Sequence, residues 1–232
     1  MSIAENVAEV RARIAAAAKH SGRLVEDVTL MAVTKSFPAE IVREAYDAGL
    51  RVFGENRVQE FAGKAVADLS GAEWHMIGHL QSNKAAKAAE LFAAVDSVDS
   101  LRLAEKLNAA ALELGKKLAV LIEVNVGGEA AKSAIAMEAP DLEALLAAAP
   151  RLEALEFRGL MTIPPYTEDP QGARPYFQEL RQLRDRIAAR RLPAVGMNVL
   201  SMGMSHDFEV AIEEGSTCVR VGTAIFGLRP KK

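Results

Sequence analysis

The sequence is poor in cysteine, histidine and aromatic residues, and it has no long apolar run. Its 232 residues include a single cysteine, Cys218, so an internal disulfide is excluded. The four histidines, His20, His75, His79 and His206, show no metal-ligand spacing with each other or with this cysteine. A disulfide scaffold and a zinc module are therefore excluded.

Neither sign of charge dominates. The chain has 28 basic and 31 acidic residues, well mixed along its length, which argues against a broad basic surface for nucleic acid. The longest apolar runs fall short of the roughly 18–20 residues that span a bilayer, and residues 1–9 contain no basic segment before an apolar stretch. We expect a soluble, cytoplasmic protein with no membrane or nucleic-acid partner.

The first 22 residues predict an amphipathic helix. Ser2 and Glu5 have the spacing of a capping box, apolar residues recur along one face, and Gly22 suits the end of the helix. From residue 29 onward, short runs rich in Val, Ile, Leu and Met alternate with stretches of helical period. This alternation is typical of repeated βα units over a parallel sheet.

Eight such units can be counted. The predicted strands cover residues 30–35, 51–54, 74–78, 93–97, 118–126, 156–163, 199–203 and 218–222. The predicted helices between them cover residues 38–48, 56–69, 101–114, 141–148, 172–189 and 205–213. Length alone permits one large domain or two small ones, but about 25 residues per unit suits one closed (β/α)8 TIM barrel over residues 1–232, with the first helix packed on it. An open doubly wound sheet competes, but no Gly-x-Gly-x-x-Gly turn follows the first strand.

Lys35 is the sharpest single candidate for chemistry. It closes the first predicted strand and shares a face with Met31 and Val33, so apolar side chains would surround its stem. Partial desolvation favours the neutral amine, which is the form that attacks a carbonyl to give a Schiff base. The alternative is a lysine that reaches solvent or pairs with a carboxylate such as Glu55.

Two loops suit an anion. Ser201, Met202, Gly203 and Ser205 lie where the seventh predicted strand passes into the next helix, and barrels often bind phosphate in the loops after strands seven and eight. The next loop supplies Gly222 and Thr223, a glycine that lets the backbone approach an anion and a hydroxyl that can donate to it. An ordinary helix cap is the alternative role for Ser205.

Arg220 is the third candidate group for a binding site, beside Lys35 and the two anion loops. Strand alternation places it on the face opposite Val219 and Val221, which points its guanidinium into the barrel, either as a ligand group or in a buried salt bridge. If the sheet closes, the eighth strand lies beside the first, and Arg220, Lys35 and the phosphate loops converge. An amine, a fixed cation and an anion site suit pyridoxal 5'-phosphate. The same set suits a Schiff-base aldolase acting on a sugar phosphate.

Six colinear motifs resemble the pyridoxal phosphate homeostasis protein family, the YggS/PROSC group. They are residues 32–35 (AVTK), 53–60 (FGENRVQE), 74–84 (WHMIGHLQSNK), 159–163 (GLMTI), 200–205 (LSMGMS) and 219–227 (VRVGTAIFG). The resemblance implies a barrel of the alanine-racemase N-terminal type with pyridoxal phosphate held on Lys35 as a Schiff base. It also implies that the phosphate is held by Ser201, Ser205, Gly222 and Thr223 and their loops, that Arg220 faces the ring nitrogen, and that Asn56 lies by the cofactor.

One departure is visible after the fifth predicted strand. Members of the family often have Lys-Ser-Gly where this chain has Lys132, Ser133 and Ala134. Since alanine tolerates a positive φ poorly, we expect a differently shaped loop over residues 127–136.

The family resemblance implies a carrier or buffer of pyridoxal phosphate that serves cofactor-dependent apo-enzymes, with a monomer as the expected state. A cationic arginine beside the ring nitrogen disfavours its protonation and weakens the ring as an electron sink. None of Tyr46, Tyr166 and Tyr176 lies in an appended second domain that would bring an opposing base. We therefore expect no efficient catalysis, with a weak racemase-like enzyme as the alternative.

Overall fold

Eight parallel strands form a closed barrel in the computed structural model, which describes residues 2–64, 66, 69–128, 134–137 and 139–228. The strands in chain order are β1 (Thr29–Val33), β2 (Val52–Glu55), β3 (Glu73–Met76), β4 (Ala94–Val98), β5 (Leu118–Asn125), β6 (Ile135–Ala136), β7 (Leu155–Met161), β8 (Val195–Met204) and β9 (Cys218–Val221). They are ordered β4-β3-β2-β1-β9-β8-β7-β5, and pairing of β4 with β5 closes the ring. The two-residue β6 lies beside β5.

Helices surround the barrel. They are α1 (Ile3–His20), α2 (Ala39–Asp47), α3 (Val58–Ala62), α4 (Ala85–Leu91), α5 (Leu101–Glu113), α6 (Pro140–Ala148), α7 (Arg174–Ala189), α8 (Phe208–Glu213) and α9 (Thr223–Phe226). Short 3-10 turns occupy Val25–Asp27, Ser82–Lys84, Ala149–Arg151 and Pro170–Ala173. Among the helices of the described residues, none combines the length and the apolarity that crossing a bilayer requires.

The first helix packs on the barrel's last two helices. Its predicted capping box is present, with the Glu5 N–H donating to Ser2 Oγ at 3.2 Å and the Ser2 N–H donating to the Glu5 carboxylate at 2.7 Å. Arg13 donates two hydrogen bonds to the Glu209 carboxylate on α8, and the Asn6 amide donates to the carbonyl of Ile225 on α9. These contacts tie residues that are about 200 positions apart in the sequence.

The predicted barrel is confirmed, and its eight predicted strands correspond to β1–β5 and β7–β9. Two helix predictions are wrong at their ends. The helix predicted over residues 56–69 is α3, which begins at Val58 and ends at Ala62 with Gly63 as its C-cap; residues 65, 67 and 68 of the predicted range lie outside the described residues. The helix predicted over residues 205–213 begins only at Phe208, because a tight turn precedes it in which the Met204 N–H donates to the Asp207 carboxylate.

The loop that departs from the family pattern is described only in part. Lys132 and Ser133 lie outside the described residues. Ala134 directly precedes β6, and the loop shape expected over residues 127–136 stays a prediction.

The barrel interior has an apolar part and a charged pair. Met31, Val33, Ile77 and Cys218 pack together inside the strands. Below them, His75 Nδ1 lies 3.1 Å from the Asp96 carboxylate, which is 2% exposed. Burial by itself lowers the pKa of His75, but the charge and hydrogen bond of Asp96, with the nearby Glu73, outweigh burial and raise it above its usual value.

This pair makes folding stability depend on pH. Because the His75 pKa is higher in the folded than in the unfolded chain, its contribution is complete below about pH 6.5 and is lost as the pH rises through the folded value. We expect Asp96→Asn to remove this loss, measured as the free energy of unfolding in urea at several pH values.

The matched control is His20→Asn, because His20 is exposed at the end of α1. It should keep the wild-type pH profile. An identical profile in Asp96→Asn and wild type would show that His75 does not couple protonation to folding.

Candidate functional site

A cavity opens at the carboxyl ends of the barrel strands. We call it the barrel-mouth cavity, and it has a volume of about 200 Å³. Its walls combine apolar side chains, two cationic side chains and several hydrogen-bonding groups. The lining residues are Val33, Lys35, Phe37, Asn56, Ile77, Ile163, Met204, Ser205, His206, Arg220, Gly222, Thr223 and Gly227.

Lys35 lies in a tight turn rather than in the strand. β1 ends at Val33, and the Phe37 N–H donates to the carbonyl of Thr34 at 3.1 Å. Ser36, the third residue of this turn, has a φ of +68°, a conformation that costs a non-glycine residue on the order of 1 kcal/mol. The turn places the half-buried Lys35 side chain in the cavity wall beside Val33.

A buried ion pair holds this turn. The Glu55 carboxylate is fully buried, accepts the Thr34 hydroxyl at 2.6 Å and pairs with Lys64. Lys64 Nζ also donates to the carbonyl of Thr34 at 2.8 Å. Burial raises the pKa of Glu55, and hydrogen bonds from Lys64 and Thr34 act against this. The Glu55 carboxylate, which the sequence offered as an alternative partner for Lys35, is thus bound to Thr34 and Lys64.

Asn56 is positioned by a close backbone approach. A Cβ at position 78 would lie 2.5 Å from the carbonyl oxygen of Asn56, so only glycine fits there. The Asn56 side chain lines the cavity, and its Oδ1 is buried without a hydrogen-bond partner among the described residues. A buried amide oxygen in this state is available to a ligand.

Arg220 is buried and spans three strands. It lies on β9 opposite Met31 of β1, as strand alternation predicts, and it is 3% exposed. Its guanidinium donates to Ser201 Oγ on β8 and to the carbonyl of Thr162 after β7, both at 2.7 Å. Burial shifts the pKa of Arg220 below its usual value, although the charge of the nearby Asp96 acts in the opposite direction.

The two predicted anion loops meet at one hydroxyl. Ser205 Oγ accepts the N–H groups of Gly222 and Ala224, each at 3.2 Å. Both acceptor positions of the hydroxyl are then used, and its proton remains to donate to a ligand. Ser205 does not cap α8, because the turn at residues 204–207 intervenes.

Glycine at position 222 leaves ligand space. A Cβ there would make only ordinary contacts of 3.5 Å with Val33, which itself lines the cavity. Packing within the described chain therefore does not require glycine at this position. The missing side chain widens the cavity beside Ser205 and Thr223.

Six of the nine predicted site residues line the cavity: Lys35, Asn56, Ser205, Arg220, Gly222 and Thr223. The other three lie behind its wall in the described part of the chain. Ser201 is fully buried and holds Arg220, and Met202 packs in the core outside the strands. Gly203 has a φ of +92°, and a Cβ there would lie 2.5 Å from the Cβ of Ala211 on α8.

Sequence reasoning missed two polar residues of this region. Lys64 acts on the Lys35 turn from nearly 30 positions away, and nothing local to its sequence signals this contact. His206 was assigned only to the start of a helix, but it lines the cavity next to Ser205. Its position directly after the serine of an anion loop was the available signal.

The fold and the cavity define a barrel of the alanine racemase N-terminal type. The family described as "Alanine racemase, N-terminal domain" matches residues 5–230. Proteins named pyridoxal phosphate homeostasis protein match over nearly the full length of both chains. The one from Pseudomonas aeruginosa is 47% identical (98% of this chain, 96% of that one), and the one from Aquifex aeolicus is 45% identical (99% of each).

A solved structure agrees with these relatives. The structure of PipY from Synechococcus elongatus PCC7942 with pyridoxal phosphate bound is 38% identical, has a TM-score of 0.85, and is matched over 97% of this chain and 100% of that chain. The chain belongs to the pyridoxal phosphate homeostasis protein family.

The ion pair under the Lys35 turn gives a stability prediction. Glu55→Gln leaves the buried Lys64 ammonium without its main counter-charge, and we expect a loss of about 3 kcal/mol in the free energy of unfolding in urea. Glu156→Gln is the control, because it breaks the exposed pair with Arg158 and should cost no more than about 1 kcal/mol. Equal small losses would show that the Glu55 pair does not support the turn.

Proposed function

We propose that this chain binds pyridoxal phosphate in the barrel-mouth cavity, with Lys35 as the covalent attachment point, and buffers or delivers the cofactor to apo-enzymes. One observation carries the proposal: a single cavity is lined by Lys35, by Arg220 and by the two loops that contain Ser205 and Gly222. Relatives over the full chain are named for pyridoxal phosphate homeostasis, and PipY is a relative solved with the cofactor.

The donor set fits the cofactor's three polar ends. Pyridoxal phosphate supplies an aldehyde that captures amines and a conjugated ring that withdraws electrons from them. The Lys35 amine suits the aldehyde. The Ser205 proton, the Thr223 hydroxyl and the space at Gly222 suit the phosphate. The buried Asn56 Oδ1 offers one further contact from the wall of the cavity.

Arg220 suits the carrier role. A guanidinium donates hydrogen bonds and accepts none, so a pyridine nitrogen beside it stays unprotonated. An unprotonated ring stabilises a carbanion poorly. Ser201 and Thr162 hold the guanidinium in place from two other strands, so the cation does not turn away from the barrel interior. We therefore assign the site to holding the cofactor, with little or no racemase activity.

The Lys35 assignment has a direct spectroscopic test. We expect purified protein to show a visible absorbance band that borohydride removes, with the cofactor then fixed covalently to the chain. Lys35→Ala should lose the band, because no other cavity lysine is present in the described part of the chain. Lys87→Ala, which changes an exposed lysine paired with Glu90, should keep it.

Three outcomes contradict this proposal in different ways. The same band in Lys35→Ala and wild type would place the attachment elsewhere. A wild-type protein that stays colourless with added cofactor would favour a sugar-phosphate aldolase. Lys35-dependent loss of the optical purity of alanine would show racemase activity instead of a carrier role.

The phosphate loops have their own test. Ser205→Ala and Thr223→Val each remove a hydroxyl, and we expect cofactor retention to weaken by about 0.5–3 kcal/mol in equilibrium dialysis. Ser205→Ala should cost more, because it also releases the N–H groups of Gly222 and Ala224. Thr223→Ser keeps the hydroxyl and should bind nearly as wild type does. Unchanged affinity in both hydroxyl deletions would move the phosphate elsewhere.

A further inference from the structure

His206 stands at the phosphate side of the barrel-mouth cavity. It follows Ser205 directly and lines the same cavity as Gly222 and Thr223. Its Nε2 lies 3.0 Å from the carbonyl oxygen of Thr167, and its ring lies against Tyr166 with 5.4 Å between ring centroids. An exposed imidazole is thus held in position from two sides.

The contact with Thr167 determines where His206 can gain a proton. A carbonyl oxygen only accepts hydrogen bonds, so Nε2 must carry its hydrogen in the neutral ring. The ring therefore gains a proton at Nδ1, and the hydrogen bond to Thr167 persists in both states. Protonation adds a positive charge and a donor without releasing the ring from the cavity wall.

Two carboxylates close to His206 each accept a backbone hydrogen bond. The Asp207 carboxylate is buried, accepts the Met204 N–H at 2.6 Å and interacts electrostatically with His206. Asp169, in the loop after Thr167, accepts the Gln171 N–H.

Four further groups lie around the cavity among the described residues. Glu168 is exposed in the same loop as Asp169, and Lys35 and Arg220 are cationic residues that line the same cavity as His206. The phenol of Tyr166 is 80% exposed.

We propose that His206 is a pH-dependent ligand for the phosphate group in the barrel-mouth cavity, held in place by Thr167 and Tyr166. The inference rests on the proposed function, since it assigns a further contact to the same phosphate. An imidazolium donates a charge-assisted hydrogen bond to a phosphate dianion, and the neutral ring does not. Retention of the phosphate is therefore tighter at mildly acidic pH than at mildly alkaline pH, beyond what the titration of the phosphate itself produces.

The test uses inorganic phosphate and the full chain freed of cofactor. Phosphate affinity is measured by phosphorus NMR titration for wild type and His206→Gln. We expect His206→Gln to weaken binding about tenfold near pH 5.5 and to leave it nearly unchanged near pH 8.5. Because both proteins bind the same titrating anion, the ratio of their affinities isolates the imidazole.

Two Tyr166 variants test the positioning. Tyr166→Phe keeps the ring beside His206 and should keep the wild-type pH profile. Tyr166→Leu removes the aromatic partner and should reduce the difference between the two pH values. His206 and Tyr166 are exposed, so none of these substitutions removes a core contact.

A ratio of wild-type to His206→Gln affinity that does not change with pH would overturn the inference. The same measurement separates it from the proposed function. If the borohydride-sensitive band forms but the ratio is constant, the carrier function stands and the role of His206 falls. If no band forms but the ratio changes with pH, the cavity binds phosphate through His206 and the cofactor assignment falls.

Discussion

The guanidinium of Arg220 is the contact on which the mouth of this barrel depends. It brings a permanent charge into the interior and satisfies it by donating to Ser201 and to the Thr162 carbonyl, on two other strands. A buried cation left without such partners is strongly unfavourable, so the ends of β7, β8 and β9 are held at one spacing. The loops that follow β8 and β9 inherit that spacing. Ser205 and Gly222 meet because the strands beneath them are tied together.

A second buried charge acts on the opposite side of the cavity. Glu55 accepts the Thr34 hydroxyl, its partner Lys64 donates to the Thr34 carbonyl, and the strained φ of Ser36 follows directly after Lys35. The strain is tolerated because the surrounding contacts over-determine the turn. The amine and the anion loops are thus both fixed by buried ionic groups, one on each side of the point where β1 meets β9. The cavity is shaped by electrostatic requirements as much as by apolar packing.

The features that could be predicted from the sequence are those that depend on the local periodicity of apolar residues. Alternation in residues 218–222 places Arg220 on the inner face, and the count of βα units predicts the closed barrel. Contacts between distant segments follow no local pattern. Lys64 reaches Thr34 only because α3 ends early at Gly63, and His206 faces the cavity only because the Asp207 turn delays α8. The predicted end of the first strand was wrong at Lys35, which lines the cavity beside Val33 from a turn beyond the strand.

The hydroxyl of Ser205 has a consequence for the thermodynamics of loading. It joins the loops that follow β8 and β9, so the binding groups are already assembled before any ligand arrives. Little conformational entropy is then lost when a phosphate enters, and no segment has to unfold when it leaves. Because no loop has to become ordered for the phosphate to bind, the phosphate exchanges over a low barrier even when it is bound tightly. For the carrier role proposed above, rapid exchange matters as much as tight binding.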